Sequence, residues 1–344
     1  VKMKKSLFFA ATALSLLVSA GCGDAESSGA SEDDTITIAW YPNESGSELE
    51  KAREGIGDLV EEATGKTVEH ETTTDYIVAI ESIVNGNADI AYMGAQGYIE
   101  AHDKNENVVP LAVSSGESGT LDDAMYNSWL SVKDGNEGPY EDGDGYSIDN
   151  IVDKKFSFVS NSSTSGFKVP SSDIVTHFSE KEEYSDLTQD DLLEGGEFFS
   201  EVLFGGSHQG SAVNLLTDKA DVAAFCDVCV ENYVENVEGE ENSIGAVYQV
   251  SEDAADPFQS LSGEKFKLIS VTPVLNAPFV MNEETLSEDT QSELVEAFTS
   301  DETANNEEVF VPEDTDEGLF YKTDNERFLE VEDDWFEPIR ELSN

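Results

Sequence analysis

The residues best suited to chemistry stand together between Ser160 and Pro170, in the run SNSSTSGFKVP. Apolar residues of strand character precede it, hydroxyls cluster within it, and a proline follows where the first turn of a helix falls. A helix start carries backbone N–H groups without intrahelical partners and about half a positive charge. Ser163, Thr164 and Ser165 add hydroxyl donors, so the run can hold a tetrahedral oxyanion without a salt bridge. Plain N-capping by Ser163 or Thr164 is the competing use of the same residues. Cys226 and Cys229 form a C-x-x-C pair, for which a local disulfide is the first expectation in an exported chain and buried free thiols the second. No further Cys or close His completes a site around them, so no metal is expected there. Asp142 and Asp144 do not complete a calcium loop. Ser163 or Thr164 with His208 would make a nucleophile and base. The chain nevertheless lacks a G-x-S-x-G elbow, an H-E-x-x-H motif and a P-loop with its Lys, so a binding protein is expected rather than an enzyme, with no cofactor.

The elements that must position these residues alternate between strand and helix. A strand at 36–41 leads to an amphipathic helix with Leu49, Ala52, Ile56, Leu59, Val60 and Ala63 on one stripe. Strands at 67–71, 89–93 and 108–113 follow, separated by helices carrying Ile77, Ile80, Ile83 and Val84 and then residues 96–102. The segment 126–132 reads as an extended crossover, and the Gly/Asp-dense stretch 133–150 as turns joining two lobes or as a surface insertion. A second alternation then runs through a strand at 156–160, a helix at 165–178, an acidic helical stretch to 199, a helix at 209–219, a strand at 221–226 and another helix. The strand 267–274 returns the chain, and an acidic helical tail fills 286–342. This pattern predicts an α/β fold of two Rossmann-like lobes, each built on a parallel sheet, with a hinge and an interlobe ligand cleft at the open sheet ends. The first lobe takes 35–130 and 275–344, the second 131–274.

Composition narrows the partners. Acidic residues outnumber basic ones 74 to 18, for a formal charge of −56. Nucleic acid and anionic lipid both need basic patches, and none is visible. Repulsion among surface carboxylates reaches about 10 Å at 0.1 M salt but about 3 Å at 1 M, which suits a halophilic setting. The 18 Phe, 11 Tyr and 3 Trp lie in short periodic runs, as a folding chain requires. Lys2, Lys4 and Lys5 precede an apolar run from Leu7 to Val18, too short to span a bilayer, and this reads as a signal peptide over 1–21. Its end, Ser19-Ala20-Gly21-Cys22, has the form of a lipoprotein site at which Cys22 is acylated. A polar tether then covers 22–34, so the mature protein is expected outside the cytoplasm, anchored to the cell membrane.

The SSTSGFKVP run, its preceding strand, DYIVAIESIVNGNADIAYMG (75–94), GGSHQGSAVNLLTDKADVAAFCD (205–227) and TPVLNAPFV (272–280) resemble, in order and spacing, the phosphate/phosphite/phosphonate-binding proteins of ABC importers. The resemblance spans essentially the whole mature chain and implies a type II periplasmic-binding-protein fold. It assigns Ser163, Thr164 and Ser165 to the phosphoryl oxygens, His208 to the same oxyanion, and the Tyr76 hydroxyl to a donor from the opposite lobe. Met93 stands where members commonly place an aromatic hydroxyl. Val228, beside Asp227, and Ala277 stand where aminoalkyl-phosphonate receptors place carboxylates. The implied ligand is therefore phosphate, phosphite or a small uncharged-tail phosphonate, with Asp227 accepting a proton from a protonated oxyanion. The implied partner is an ABC permease served by a monomer; a ligand-presenting surface sensor is the alternative, and a phosphate-ester hydrolase a more distant one.

Overall fold

A computed structural model describes residues 34–342, apart from residues 144, 313, 314, 316 and 317. Two sheets organise the chain. The first opens with β1 (Thr35–Trp40), where Ile36, Ile38, Ala39 and Trp40 are all buried, as a strand covered on both faces requires. A turn at Pro42–Glu44 leads into α1 (Glu50–Thr64). β2 (Thr67–Thr72), α2 (Tyr76–Val84), β3 (Ile90–Tyr92), α3 (Ala95–Lys104) and β4 (Val108–Ser114) follow in the expected alternation. β2 and β3 pair in parallel with the two edges of β1.

The second sheet starts with β5 (Met125–Lys133) and continues through β6 (Lys155–Phe158), α4 (Val169–Ser179), β7 (Glu201–Phe204), α5 (His208–Leu216) and β8 (Val222–Cys226). The hairpin β9 (Val234–Glu238) and β10 (Val247–Val250) precedes β11 (Lys265–Leu275). β11 lies antiparallel to β5, from Phe266 opposite Lys133 to Leu275 opposite Met125. The chain then re-enters the first sheet as β12 (Pro278–Asn282), antiparallel between β3 and β4. After α6 (Glu288–Thr299), β13 (Phe328–Leu329) closes the edge beside β4. The orders are β13-β4-β12-β3-β1-β2 and β9-β10-β11-β5-β8-β6-β7, two α/β lobes joined by two crossings.

Several local expectations change. Both sheets are mixed, because a chain that enters a lobe on one strand and leaves on its neighbour must run the two in opposite directions. β5 pairs within the second sheet along its whole length, so the first crossing precedes Met125 instead of following residue 130. Residues 180–199 hold only single turns at Glu182–Tyr184 and Asp190–Leu192, and Gly196, at φ 117°, breaks helical geometry beyond them. The β9–β10 hairpin replaces the helix anticipated after Cys226, in keeping with its Val-rich VENVE and VYQV sequences. The tail is helical only in part, because Phe310, Phe320 and Phe328 must reach the first-lobe core beside Trp40, Phe279 and Phe298. The Gly/Asp stretch follows β5 within the second lobe and forms a small surface hairpin, Glu141–Asp142 with Gly145–Tyr146.

Candidate ligand-binding site

β6 ends in a tight turn at which Ser163 caps a π-helical turn, Thr164–Lys168, that runs on into α4 with Pro170 in its first turn. Ser163, Thr164 and Ser165 are all buried. Glycine is required inside the turn: a Cβ on Gly166 would stand 2.3 Å from the Val159 side chain and 2.7 Å from Ser163 Oγ. Each hydroxyl oxygen already takes a protein donor. Ser163 Oγ accepts from the Gly166 amide at 3.1 Å, Thr164 Oγ1 from the Gln96 amide at 2.9 Å, and Ser165 Oγ from the Tyr126 hydroxyl at 3.1 Å. Accepting a bond uses a lone pair and not the hydroxyl hydrogen, so these alcohols can also donate to a guest.

His208 opens α5, whose cap Ser207 accepts from the Gly210 amide. The Cys226 amide donates to Nδ1 at 3.0 Å, which fixes that nitrogen as an acceptor and puts the ring proton on Nε2. Nε2 faces Ser163 Oγ at 3.3 Å. Burial lowers the imidazole pKa to about 3, so the ring acts as a neutral N–H donor rather than as a cation. From the other lobe, Tyr76 begins α2 behind its cap Asp75. Its hydroxyl accepts from Asn43 Nδ2 at 2.7 Å, and burial raises the phenol pKa, so its proton too is retained for donation. Asn43 Oδ1 accepts from the His208 amide at 3.1 Å, and its carbonyl accepts from Gln209 Nε2 at 3.2 Å. One asparagine thus ties a first-lobe phenol to the main chain at the start of second-lobe helix α5. Ser162 Oγ donates to Glu100 Oε2 at 2.8 Å and adds a further bond between the lobes.

These groups surround a cavity of ≈ 250 Å³. It sits beyond the carboxyl ends of β1, β3, β6 and β8, where open α/β sheets bind ligands. Ser163, Thr164, Ser165, His208, Tyr76 and Met93 all line it, and among the described lining residues there is no Lys or Arg. Val228 and Ala277 line it as well. Asp227 does not: its carboxylate accepts from the Asn127 amide at 2.9 Å, Asn127 Nδ2 at 2.7 Å and the Val228 amide at 2.8 Å. Both of its oxygens are spent anchoring β5 to the end of β8, which corrects the role anticipated for it. Cys226 and Cys229 form a disulfide with Cα atoms 5.3 Å apart. A histidine does stand near them, contrary to the sequence reading, because α5 packs on β8 and brings His208 to within 4.8 Å. Cys22 lies outside the described residues. Asn43, Glu44, Tyr126, Gln209 and Glu231 also border the cavity and went unnoticed in the sequence. Only the position of Asn43 and Glu44, just past the end of β1, could have signalled them.

The family model described as ABC transporter, phosphonate, periplasmic substrate-binding protein matches residues 38–336. The chain belongs to this family. Among curated relatives, the phosphate-import protein PhnD of Mycolicibacterium smegmatis is 27% identical over 226 residues. That match spans 64% of this chain and 65% of the relative, somewhat under two thirds of the relative's length. Among solved structures, a binding protein component of an ABC phosphonate transporter from Pseudomonas aeruginosa superposes with a TM-score of 0.63 at 21% identity, over 90% of this chain and 85% of the other. PhnD1 from Prochlorococcus marinus in complex with methylphosphonate gives 0.63 at 16% identity, over 90% and 97%. At these identities the likeness establishes the fold, that of a type II periplasmic binding protein.

Proposed function

We propose that this chain captures a phosphorus oxyanion (phosphate, phosphite or a small phosphonate) between its lobes and delivers it to an ABC permease from outside the cytoplasm. One observation carries the reading: three alcohols, a phenol and a neutral imidazole N–H, each with a hydrogen to donate, border one cavity whose described lining has no Lys or Arg. Such a set gives hydrogen bonds outward and suits a guest made of acceptors. The relative that imports phosphate and the fold neighbour that holds methylphosphonate support the same ligand class. Val228 and Ala277 supply no carboxylate for an ammonium group, while Glu44, Glu231 and Glu326 stand elsewhere on the cavity wall, so 2-aminoethylphosphonate is the ligand that tests this choice.

Calorimetry in high salt with phosphate, phosphite, methylphosphonate, 2-aminoethylphosphonate, sulfate and arsenate tests the proposal. Binding is expected to be tightest among the first three. Far tighter binding of 2-aminoethylphosphonate would overturn the ligand choice, and failure of every phosphorus oxyanion would overturn the function. The surface charge fits a salt-rich milieu, and acylation at Cys22 would tether the protein to the membrane. Release of a Cys22→Ala variant into the medium is the expected sign of that anchor.

A further inference from the structure

Glu44 is the carboxyl set closest in sequence to the asparagine that joins the lobes. It is buried, lines the cavity, and has one oxygen, Oε2, without a hydrogen-bond partner. Its other contacts come from donors, namely its own main chain and Asn43. We propose that Glu44 is a specificity-determining residue of the oxyanion site, whose neutral carboxyl gives its Oε2 proton as a hydrogen bond to the bound phosphorus oxyanion. This inference rests on the oxyanion reading above.

The charge balance of the site supports it. An ionised carboxylate beside an anion would repel the guest in a pocket whose described lining has no Lys or Arg, whereas a neutral carboxyl adds a donor. The nearest cation, Arg53 of α1, is committed elsewhere, donating to the main-chain carbonyls of Glu44 and Gly46. The phenols of Tyr41, Tyr76, Tyr92, Tyr126 and Tyr233 face Glu44 and offer no positive charge. Glu48 is held by the Tyr233 hydroxyl. Across the cavity stand the neutral His208 and Glu231, an exposed carboxyl that borders the cavity. Burial raises Glu44 to about 8. Near neutral pH, Glu44 is therefore in the form that donates.

Ionisation of Glu44 must then cost affinity, and the loss should appear as pH rises through 8. Phosphite titrated into wild type and Glu44→Gln between pH 7 and pH 9 reads this out, because the ratio of the two dissociation constants cancels the ligand's own titration. Wild type is expected to weaken about tenfold relative to the amide variant over that range, the factor set by a single group of pKa about 8. Glu231→Gln should keep the wild-type profile. Wild-type protein should also take up a proton on binding at pH 9, measured as a buffer-dependent heat, and this readout needs no variant. A constant ratio between pH 7 and pH 9, no proton uptake, or a dependence abolished by Glu231→Gln and kept by Glu44→Gln would each overturn the proposal. Absence of any binding at pH 7 would overturn the oxyanion reading along with it, whereas binding that ignores pH overturns the role of Glu44 alone.

Discussion

His208 depends on a neighbour 18 residues away: the Cys226 amide selects its tautomer, and burial keeps it neutral. The folded protein therefore holds the imidazole pKa near 3 against 6.5 when unfolded. Between those values the unfolded chain binds a proton that the folded chain does not, so the stability from His208 is complete above pH 6.5 and is lost as pH falls towards 3. Glu44 acts in the opposite sense, since a carboxyl raised to about 8 reduces stability as pH rises from 4.5 to 8. Thermal unfolding of ligand-free wild type and His208→Gln at pH 7, 5.5 and 4.5 separates the two. The variant should lose less of its melting temperature on acidification than wild type. Parallel profiles would mean that His208 is not the buried neutral base described.

At the scale of elements, the approach of α3 to the Thr164 turn controls how the lobes meet. The Gln96 amide reaches Thr164 Oγ1 because Gly94 leaves room, and a Cβ there would stand 2.7 Å from that oxygen. Gly94→Ala should push α3 away from the turn and weaken phosphorus-oxyanion binding by about tenfold, equivalent to about 1.4 kcal/mol. The melting temperature of the ligand-free protein should change little, since the contact lies between lobes and outside either core. Affinity equal to wild type would show that this contact plays no part in closure.

For the whole molecule, the surface and the cavity follow different electrostatics. The chain carries a formal charge of −56, which slows the approach of any anion at low ionic strength. The cavity relies on neutral donors, which salt screens little. Association of phosphate or phosphite should accordingly speed up between about 0.1 and 1 M salt, where the Debye length falls from about 10 to about 3 Å, while dissociation changes little. Stopped-flow kinetics across that range checks this, and a steep fall in association rate with salt would contradict it.

Much of the architecture and the hydroxyl-rich turn at Ser163–Ser165 is legible in the chain's local patterns. Strand and helix periods mark β1 to β4 and their helices, and hydroxyls followed by proline mark the start of α4, because these signals are local to a few residues. Which groups the cavity received depended on how the folded elements meet. It spent Asp227 on Asn127, brought His208 against Cys226, and set Asn43 and Glu44 beside Tyr76. Residues meeting from separate strand ends leave no spacing to read in the chain. Whether a carboxyl there is ionised or neutral follows from burial and partners, neither of which exists before the lobes come together.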